Sequence, residues 1–367
     1  MKTTLFSQEI QSPIIIGSGP LSFDADGMIA LDAAGAGAVV TKTIRRDAAD
    51  NAYRHMAQCD AATLINCEKW SDDTMETWLR REIPKAVAAG VKCIASIGHT
   101  VEDSRLCAEE LEAKGCLALE LVSYREETIL PMLEDTRKRV NLPVIVKLSP
   151  NWPDLAEFVK KCEACGADAF TACDSMGPAL KIDIETGKPV LGGADGYGWL
   201  SGAMIRPFTL QKVCEIRKVT KLPIIGLGGV TKWQDAVEML MAGADYVGMC
   251  SAPILYGAPI IGKIDREIDL FLEKHQYADI HAISGIVQKY MPNADEKAPF
   301  EMEYDAQTCS SCGRCVTVCP YHARTLQNRQ MWIRETLCRK CGLCVSVCKT
   351  GSIWLKESSF PDTGISV

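Results

Sequence analysis

Ile224-Ile225-Gly226-Leu227-Gly228-Gly229-Val230 is a β-branched run that stops in a glycine turn. An amphipathic stretch from Lys232 to Ala242, then Gly243 and a second apolar run from Tyr246 to Cys250 follow it. This order of periodicities specifies strand, crossover helix and parallel strand, because parallel neighbours cannot be joined by a tight hairpin. Outward from it, the other strand candidates are Ile14 to Gly17, Ala38 to Thr43, Lys92 to Ile97, Leu117 to Val122, Val144 to Leu148 and Asp168 to Cys173. Helical patterns lie between them at Asp73 to Ala89, Val101 to Lys114, Glu126 to Val140, Asp154 to Cys165 and Thr209 to Val219. Several close on glycine, as at Gly90, Gly166 and Gly243, where a left-handed residue ends a helix. Eight such units in about 250 residues predict an α/β fold, a (β/α)8 TIM barrel. After Tyr256 a helical pattern continues to about Tyr290, and Pro292 to Pro299 reads as a polar linker.

Beyond the linker the cysteines fall into a duplicated pattern. Cys309, Cys312, Cys315 and Cys319 form C-x2-C-x2-C-x3-C before Pro320, and Cys338, Cys341, Cys344 and Cys348 repeat the spacing before Lys349. Three thiolates at such intervals wrap one iron-sulfur cube and the fourth reaches the other. Cys309, Cys312 and Cys315 then share one cluster with Cys348, and Cys338, Cys341 and Cys344 share the second with Cys319. Zinc leaves the third cysteine of each run unexplained, since its four ligands come as two separated pairs. The segment 300–357 therefore reads as a ferredoxin-like α+β domain with two [4Fe-4S] clusters, 1–292 as the barrel and 358–367 as a tail. Val316, Val318, Trp332, Ile333, Val345 and Val347 are expected to shield the cubes, and Lys349, replacing Pro320 in the second copy, to raise the potential of the nearby cluster.

A chain of 367 residues with 47% hydrophobic content has a sizeable core, and a net charge of -7 argues against nucleic acid or an anionic membrane surface as partner. Met1 to Gln11 has no apolar h-region and no apolar run is long enough to span a bilayer, so a cytoplasmic location is expected. The other ten of the 18 cysteines show no disulfide framework, and Cys162-x-x-Cys165 reads as semi-buried helix.

Barrel chemistry collects where strands end. That rule selects Ser18, Lys42, Thr43, Ser96, His99, Ser123, Lys147, Asp174, Gly228, Gly229, Cys250 and Ser251. Most connections read as short, but Asp174 to Pro207 is long, with a hairpin over Asp183 to Lys188 and a glycine-rich run from Gly192 to Gly198, as in a lid or binding element. The turn at Gly226 to Val230, opening onto a helix after the seventh strand, suits a phosphate. A lysine pointing into a barrel mouth needs an anionic partner, and for Lys42 and Lys147 a flavin ring supplies one. A flavin also couples two-electron hydride chemistry to one-electron clusters.

These residues carry a family resemblance. Gly17-Ser18-Gly19-Pro20, Val40-Thr41-Lys42-Thr43, Asn66-Cys67-Glu68 with Ser71-Asp72, Val146-Lys147-Leu148-Ser149-Pro150-Asn151, Leu200-Ser201-Gly202 through Pro207, and Ile225 to Val230 resemble the flavin subunit of dihydropyrimidine dehydrogenase and, more distantly, class 1 dihydroorotate dehydrogenases. The resemblance implies FMN lined by Ser18, Lys42, Thr43, Lys147, Ser201, Gly202, Gly228, Gly229, Cys250 and Ser251, with Asn66 near the substrate; by their places at strand ends Ser96 is a further cofactor candidate and Asp174 a further substrate candidate. It implies an oxidoreductase acting on a CH-CH or C=C bond conjugated to a carbonyl or amide. The expected partners are an NAD(P)H-flavin reductase subunit or a ferredoxin, and further copies of the chain.

Two features depart from the family. After strand four the family has a mobile loop with a proton-transferring Cys or Ser, whereas Leu121-Val122-Ser123-Tyr124 runs almost directly into a helix. After strand six Asp174 replaces an Asn, and an ionised Asp donates no hydrogen bond. Ser123 stands in the family's catalytic position but also fits an S-x-x-E capping box with Glu126, so His99 and Asp174 are the preferred proton-handling candidates. The alternatives are an electron-transfer subunit of a larger redox complex, a reductase of a non-pyrimidine unsaturated substrate, and a barrel whose clusters serve assembly alone.

Overall fold

The computed structural model describes residues 1–291 and 300–357, so the linker expected at Pro292 to Pro299 and the tail at 358–367 lie outside the described residues. The chain forms two compact units, Met1–Tyr290 and Met291–Val367.

In the first unit every expected barrel strand is present: β1 (Ile14–Ile16), β2 (Ala38–Val40), β3 (Cys93–Gly98), β4 (Ala118–Val122), β5 (Val144–Leu148), β6 (Ala169–Ala172), β7 (Ile224–Leu227) and β8 (Tyr246–Met249). Each pairs in parallel with its neighbours in sequence, and β8 closes on β1 through Val247 and Ile14. Alternate residues face opposite ways along a strand. Ile15, Val40, Ile94, Ile145, Ile225 and Tyr246 thus fill the barrel interior, whereas Ile14, Ile16, Val39, Val144 and Val146 belong to the core shared with the surrounding helices. An N-terminal hairpin, Thr3–Leu5 with Gln8–Ile10, adds Leu5 and Ile10 to the interior cluster.

The helices Val101–Ala113, Glu126–Arg137, Leu155–Ala164, Arg206–Arg217 and Trp233–Ala242 follow the sequence pattern. Two expectations need correction. The pattern after Tyr256 is not one long helix: Ile260–Lys274 ends at His275, Gln276 takes a left-handed φ of 58°, and 3-10 turns at Ile280–Ala282 and Ile286–Tyr290 finish the unit. A helix cannot continue through a left-handed residue, and Asp279 restarts the chain by capping the next turn. The segment after β2 is also long, forming the hairpin Met56–Asp60 with Thr63–Asn66. It joins Met176–Ala179 and Gly198–Gly202 from the loop after β6 in a four-stranded antiparallel sheet. The small hairpin Ile182–Asp183 with Lys188–Pro189 projects from that loop where the sequence placed it. Among the described residues no helix is long and apolar enough to cross a membrane.

The second unit pairs Phe300–Tyr304 with Ile353–Glu357 and contains the hairpin Arg324–Gln327 with Gln330–Ile333. Two short helices, Arg314–Thr317 and Leu343–Ser346, occupy equivalent places in the two cysteine motifs. It is a ferredoxin-like α+β fold. Its core is built on Met331, Cys344 and Ile353, with Met302, Tyr304, Cys315, Val345 and Cys348 packed against them. Trp332 does not shield a cluster: it is 56% exposed, because the strand's period of two buries Met331 and turns its neighbour outward.

Candidate active site and cluster cavities

The cleft at the C-terminal mouth of the barrel holds about 1110 Å³, its open mouth included. Ser18, Lys42, Thr43, Asn66, His99, Lys147, Asp174, Ser201, Gly202, Gly228, Gly229, Cys250 and Ser251 all line it. Strand ends bring most of them together, while Asn66, Ser201 and Gly202 come from the antiparallel sheet. Ser201 and Ser251 are joined by a hydroxyl hydrogen bond of 2.8 Å. Ser96 does not line the cleft. It is fully buried, 3.2 Å from the Thr43 hydroxyl, which in turn is 3.3 Å from that of Ser18, so Ser96 anchors a lining residue from below.

Both lysines are buried and both are paired. Lys42 Nζ lies 2.7 Å from Glu68 Oε2, and Lys147 Nζ lies 3.1 Å from Asp174 Oδ1. Burial by itself lowers a lysine's pKa, but for Lys147 the attraction of Asp174 and Glu120 outweighs it and holds the ammonium above its ordinary value. Glu120, on β4, is fully buried, and burial raises its carboxyl against the pull of Lys147 and a 2.7 Å hydrogen bond from Thr171. The floor therefore holds two buried ammonium groups fixed by carboxylate partners, polar groups whose positions are set before any ligand arrives.

One wall is aromatic. The His99 ring stacks on Tyr124 at 4.3 Å and meets Trp70 edge-on at 6.0 Å; Tyr124 stacks towards Trp199 at 6.4 Å, and Arg45 lies 4.4 Å above Trp70. Both His99 ring nitrogens are buried without a partner. Burial, then repulsion from Arg45, push the imidazole down to about 4, so it is neutral at physiological pH. Its backbone N-H donates to Asp103 at 2.8 Å, inside the Thr100–Asp103 capping box that starts the next helix.

Ser123 is not the N-cap that its S-x-x-E pattern suggested. The helix cap is Arg125, and the Ser123 hydroxyl accepts from Arg125 N at 3.1 Å and from Thr128 Oγ1 at 2.5 Å. The helix begins later than the box requires, so Glu126 cannot reach the N3 place. Ser123 is buried and does not line the cleft.

In the second unit the eight motif cysteines ring two cavities. Cys309, Cys312, Cys315 and Cys348 line one of about 370 Å³, and Cys319, Cys338, Cys341 and Cys344 line another of about 310 Å³, open edges included. Three neighbours from one motif and one cysteine from the other surround each space.

A family model for dihydroorotate dehydrogenase matches residues 73–272. The chain belongs to the dihydroorotate dehydrogenase family. A model for a 4Fe-4S dicluster domain matches residues 301–349. Similar proteins include the dihydroorotate dehydrogenase B (NAD(+)) catalytic subunits of Methanothermobacter thermautotrophicus, 29% identical over 303 residues covering 78% of this chain and 98% of the relative, and of Thermoplasma acidophilum, 30% identical over 302 residues covering 78% and 98%. That of Pyrococcus furiosus is 30% identical over 305 residues covering 79% and 99%. This dihydroorotate dehydrogenase-like chain is thus an oxidoreductase acting on a CH-CH group, of a flavin-dependent family, with an iron-sulfur domain attached.

Sequence reasoning missed several residues of the family cleft. Trp70 and Tyr124 lie outside regular elements and Trp199 lies on the strand Gly198–Gly202, and no local pattern marks them as neighbours of His99. Glu120 did leave a signal: a single carboxylate inside the apolar run Ala118-Leu119-Glu120-Leu121-Val122 needs a buried partner.

Proposed function

We propose that this chain adds or removes two hydrogens across a carbon-carbon bond conjugated to a carbonyl or amide, using FMN in the barrel cleft and two [4Fe-4S] clusters in the second unit. The observation that carries the reading is the cleft floor, where Lys42 and Lys147 are buried, paired and aimed into a space lined by hydroxyls and glycines. This donor set suits FMN: Lys42, Lys147, Ser18 and Thr43 for the ring, and the backbone of Gly228, Gly229, Cys250 and Ser251 for the phosphate. When bound, a flavin supplies hydride transfer and exchanges single electrons with the clusters. The sorting of the cysteines into two four-thiol cavities supports two clusters, with Cys309, Cys312, Cys315 and Cys348 on one and Cys319, Cys338, Cys341 and Cys344 on the other.

The chain's own side chains then shape the substrate. Trp70, Tyr124 and Trp199 favour a flat ring and exclude water. Asn66 lines the cleft with its amide held in place, Nδ2 donating to the Trp199 carbonyl at 3.4 Å and Oδ1 accepting from Glu68 N at 3.3 Å, which leaves the second Nδ2 hydrogen for a substrate. The neutral His99 has an N-H to offer a carbonyl oxygen, polarising it without transferring a full proton. Asp174, bound to Lys147, accepts hydrogen bonds and favours substrate N-H groups over the carboxylate of orotate. The relatives are named as catalytic subunits, which supports a companion that delivers electrons, an NAD(P)H-flavin reductase subunit or a ferredoxin. None of the 18 cysteines is paired in a disulfide, which suits a cytoplasmic setting.

The test is an anaerobic screen of pyrimidines and other unsaturated carbonyl compounds while flavin absorbance is followed. Reduced enzyme should be reoxidised, or oxidised enzyme bleached, by one of them. The inward-turned Ser123 favours a second reading, an electron-transfer subunit without substrate chemistry. Flavin that responds to one-electron carriers but to no compound in the screen selects it.

A further inference from the structure

The two halves of the cysteine duplication differ in charge at one buried place. Five residues beyond the last cysteine of each motif, Cys319 leads to Arg324 and Cys348 leads to Ile353. These side chains are only 4% and 3% exposed, and each lines the cavity that its own last cysteine completes. One cavity therefore has a cation where its counterpart has a hydrocarbon. Arg324 Nη2 donates to Cys344 Sγ at 3.2 Å and lies 3.4 Å from Met302 Sδ, while Nη1 is 3.1 Å from Met331 Sδ. Its hydrogen-bond partners are three sulfurs and, among the described residues, no carboxylate.

A guanidinium stays charged, and burying it without a counter-charge is costly. The thiolates of Cys319, Cys338, Cys341 and Cys344 around a cube supply that negative charge, which grows by one on reduction. Hydrogen bonds to cluster sulfurs and net charge are the levers that set cluster potentials. Other cations do not break the symmetry. Arg314 on one cavity and Arg339 on the other are exposed, as is Lys349 beside Cys348, and water and salt screen all three. This also moves the expected tuning role from Lys349 to Arg324, and to the opposite cluster.

We propose that Arg324 makes the cluster held by Cys319, Cys338, Cys341 and Cys344 the higher-potential member of the pair, so that an electron entering the domain comes to rest there. One cube is oxidised by one electron and the other reduced by one; no bond breaks and no proton moves. The proposal rests on the two-cluster reading.

The experiment is an anaerobic redox titration of the full-length protein with dithionite and mediators, followed by electron paramagnetic resonance. Two one-electron midpoints are expected, separated by at least a tenfold ratio of reduced to oxidised cluster, which is 59 mV. In Arg324→Gln the upper midpoint should fall by a tenfold ratio or more while the lower stays; Arg324→Lys, which keeps the charge and loses the fork, should fall less. Coincident midpoints in the wild type overturn the proposal, as does a Gln variant whose upper midpoint is unmoved or whose lower midpoint moves instead. If the Gln variant fails to assemble, the wild-type separation decides. Iron and sulfide measured on the same sample separate the two ideas: about eight of each with coincident midpoints removes the role of Arg324 alone, whereas about four removes the two-cluster reading beneath it.

Discussion

A serine hydroxyl has two lone pairs, and those of Ser123 are taken by Arg125 N and Thr128 Oγ1. Replacing it with Ala should cost on the order of 1 kcal/mol in chemical denaturation, the usual worth of such bonds, and leave substrate-driven flavin bleaching nearly unchanged. A ~100-fold loss of single-turnover rate, the size of a lost general acid, would instead return Ser123 to the family's catalytic role. His99 makes a pH prediction. Its pKa falls from 6.5 to about 4 on folding, so in that window the unfolded chain binds a proton that the native state refuses. Stability is therefore highest above pH 6.5 and declines as pH falls towards 4. His99→Phe, which keeps the stack on Tyr124, should remove on the order of 2 kcal/mol of that decline. Urea midpoints at pH 7 and 4.5 check it, and an unchanged difference between them refutes the assignment.

The element that matters most to the cleft is the turn after β7. Gly228 and Gly229 have φ of 129° and 94°, which side-chain-bearing residues rarely adopt, and a Cβ on Gly229 would stand 2.5 Å from Arg206 Cβ. Gly229→Ala must therefore shift the turn from the start of the Arg206–Arg217 helix. We expect a loss of about 1–3 kcal/mol, together with flavin released on gel filtration. Full flavin occupancy in the variant would mean that the turn does not hold the phosphate. Acid extraction of the wild type should yield FMN rather than FAD, since no dinucleotide fingerprint follows any strand. The four-stranded sheet acts at the same scale, since it carries Asn66 and Ser201 to the cleft from segments that pair Trp199 with Asn66 far along the chain.

For the whole molecule, the proposed division of labour between the two units leads to a separable loss. Bleaching the clusters with an oxidant should abolish electron exchange with a one-electron viologen dye, while flavin content and substrate-driven flavin reduction in a single turnover persist. Iron analysis before and after treatment, with stopped-flow absorbance, measures both. Loss of the substrate half-reaction in step with iron would show that the barrel's chemistry needs intact clusters.

The barrel and the cluster motifs were legible in the sequence because both are written locally. Strand period, glycine helix ends and cysteine spacing depend on neighbours within a few residues, so all eight barrel strands and the pattern of each cysteine motif could be read without a partner in view. The same holds for the lining residues at strand ends, since a parallel barrel points its strand C-termini to one mouth. What the sequence could not contain was which distant side chains meet. Glu68 on Lys42, Asp174 on Lys147, the aromatic stack around His99 and the sheet made from two separate loops are contacts across long stretches of chain, stabilised by burial and charge rather than by any local pattern. Ser123 shows the same limit from the other side: its local motif suggested the cap of a helix, but the first helical turn begins later, at Glu126, and the Ser123 hydroxyl instead accepts from Arg125 N and Thr128 Oγ1. Arg324 is the clearest case, an arginine that composition would place at the surface and that tertiary structure buries against three sulfurs contributed by residues up to 22 positions away.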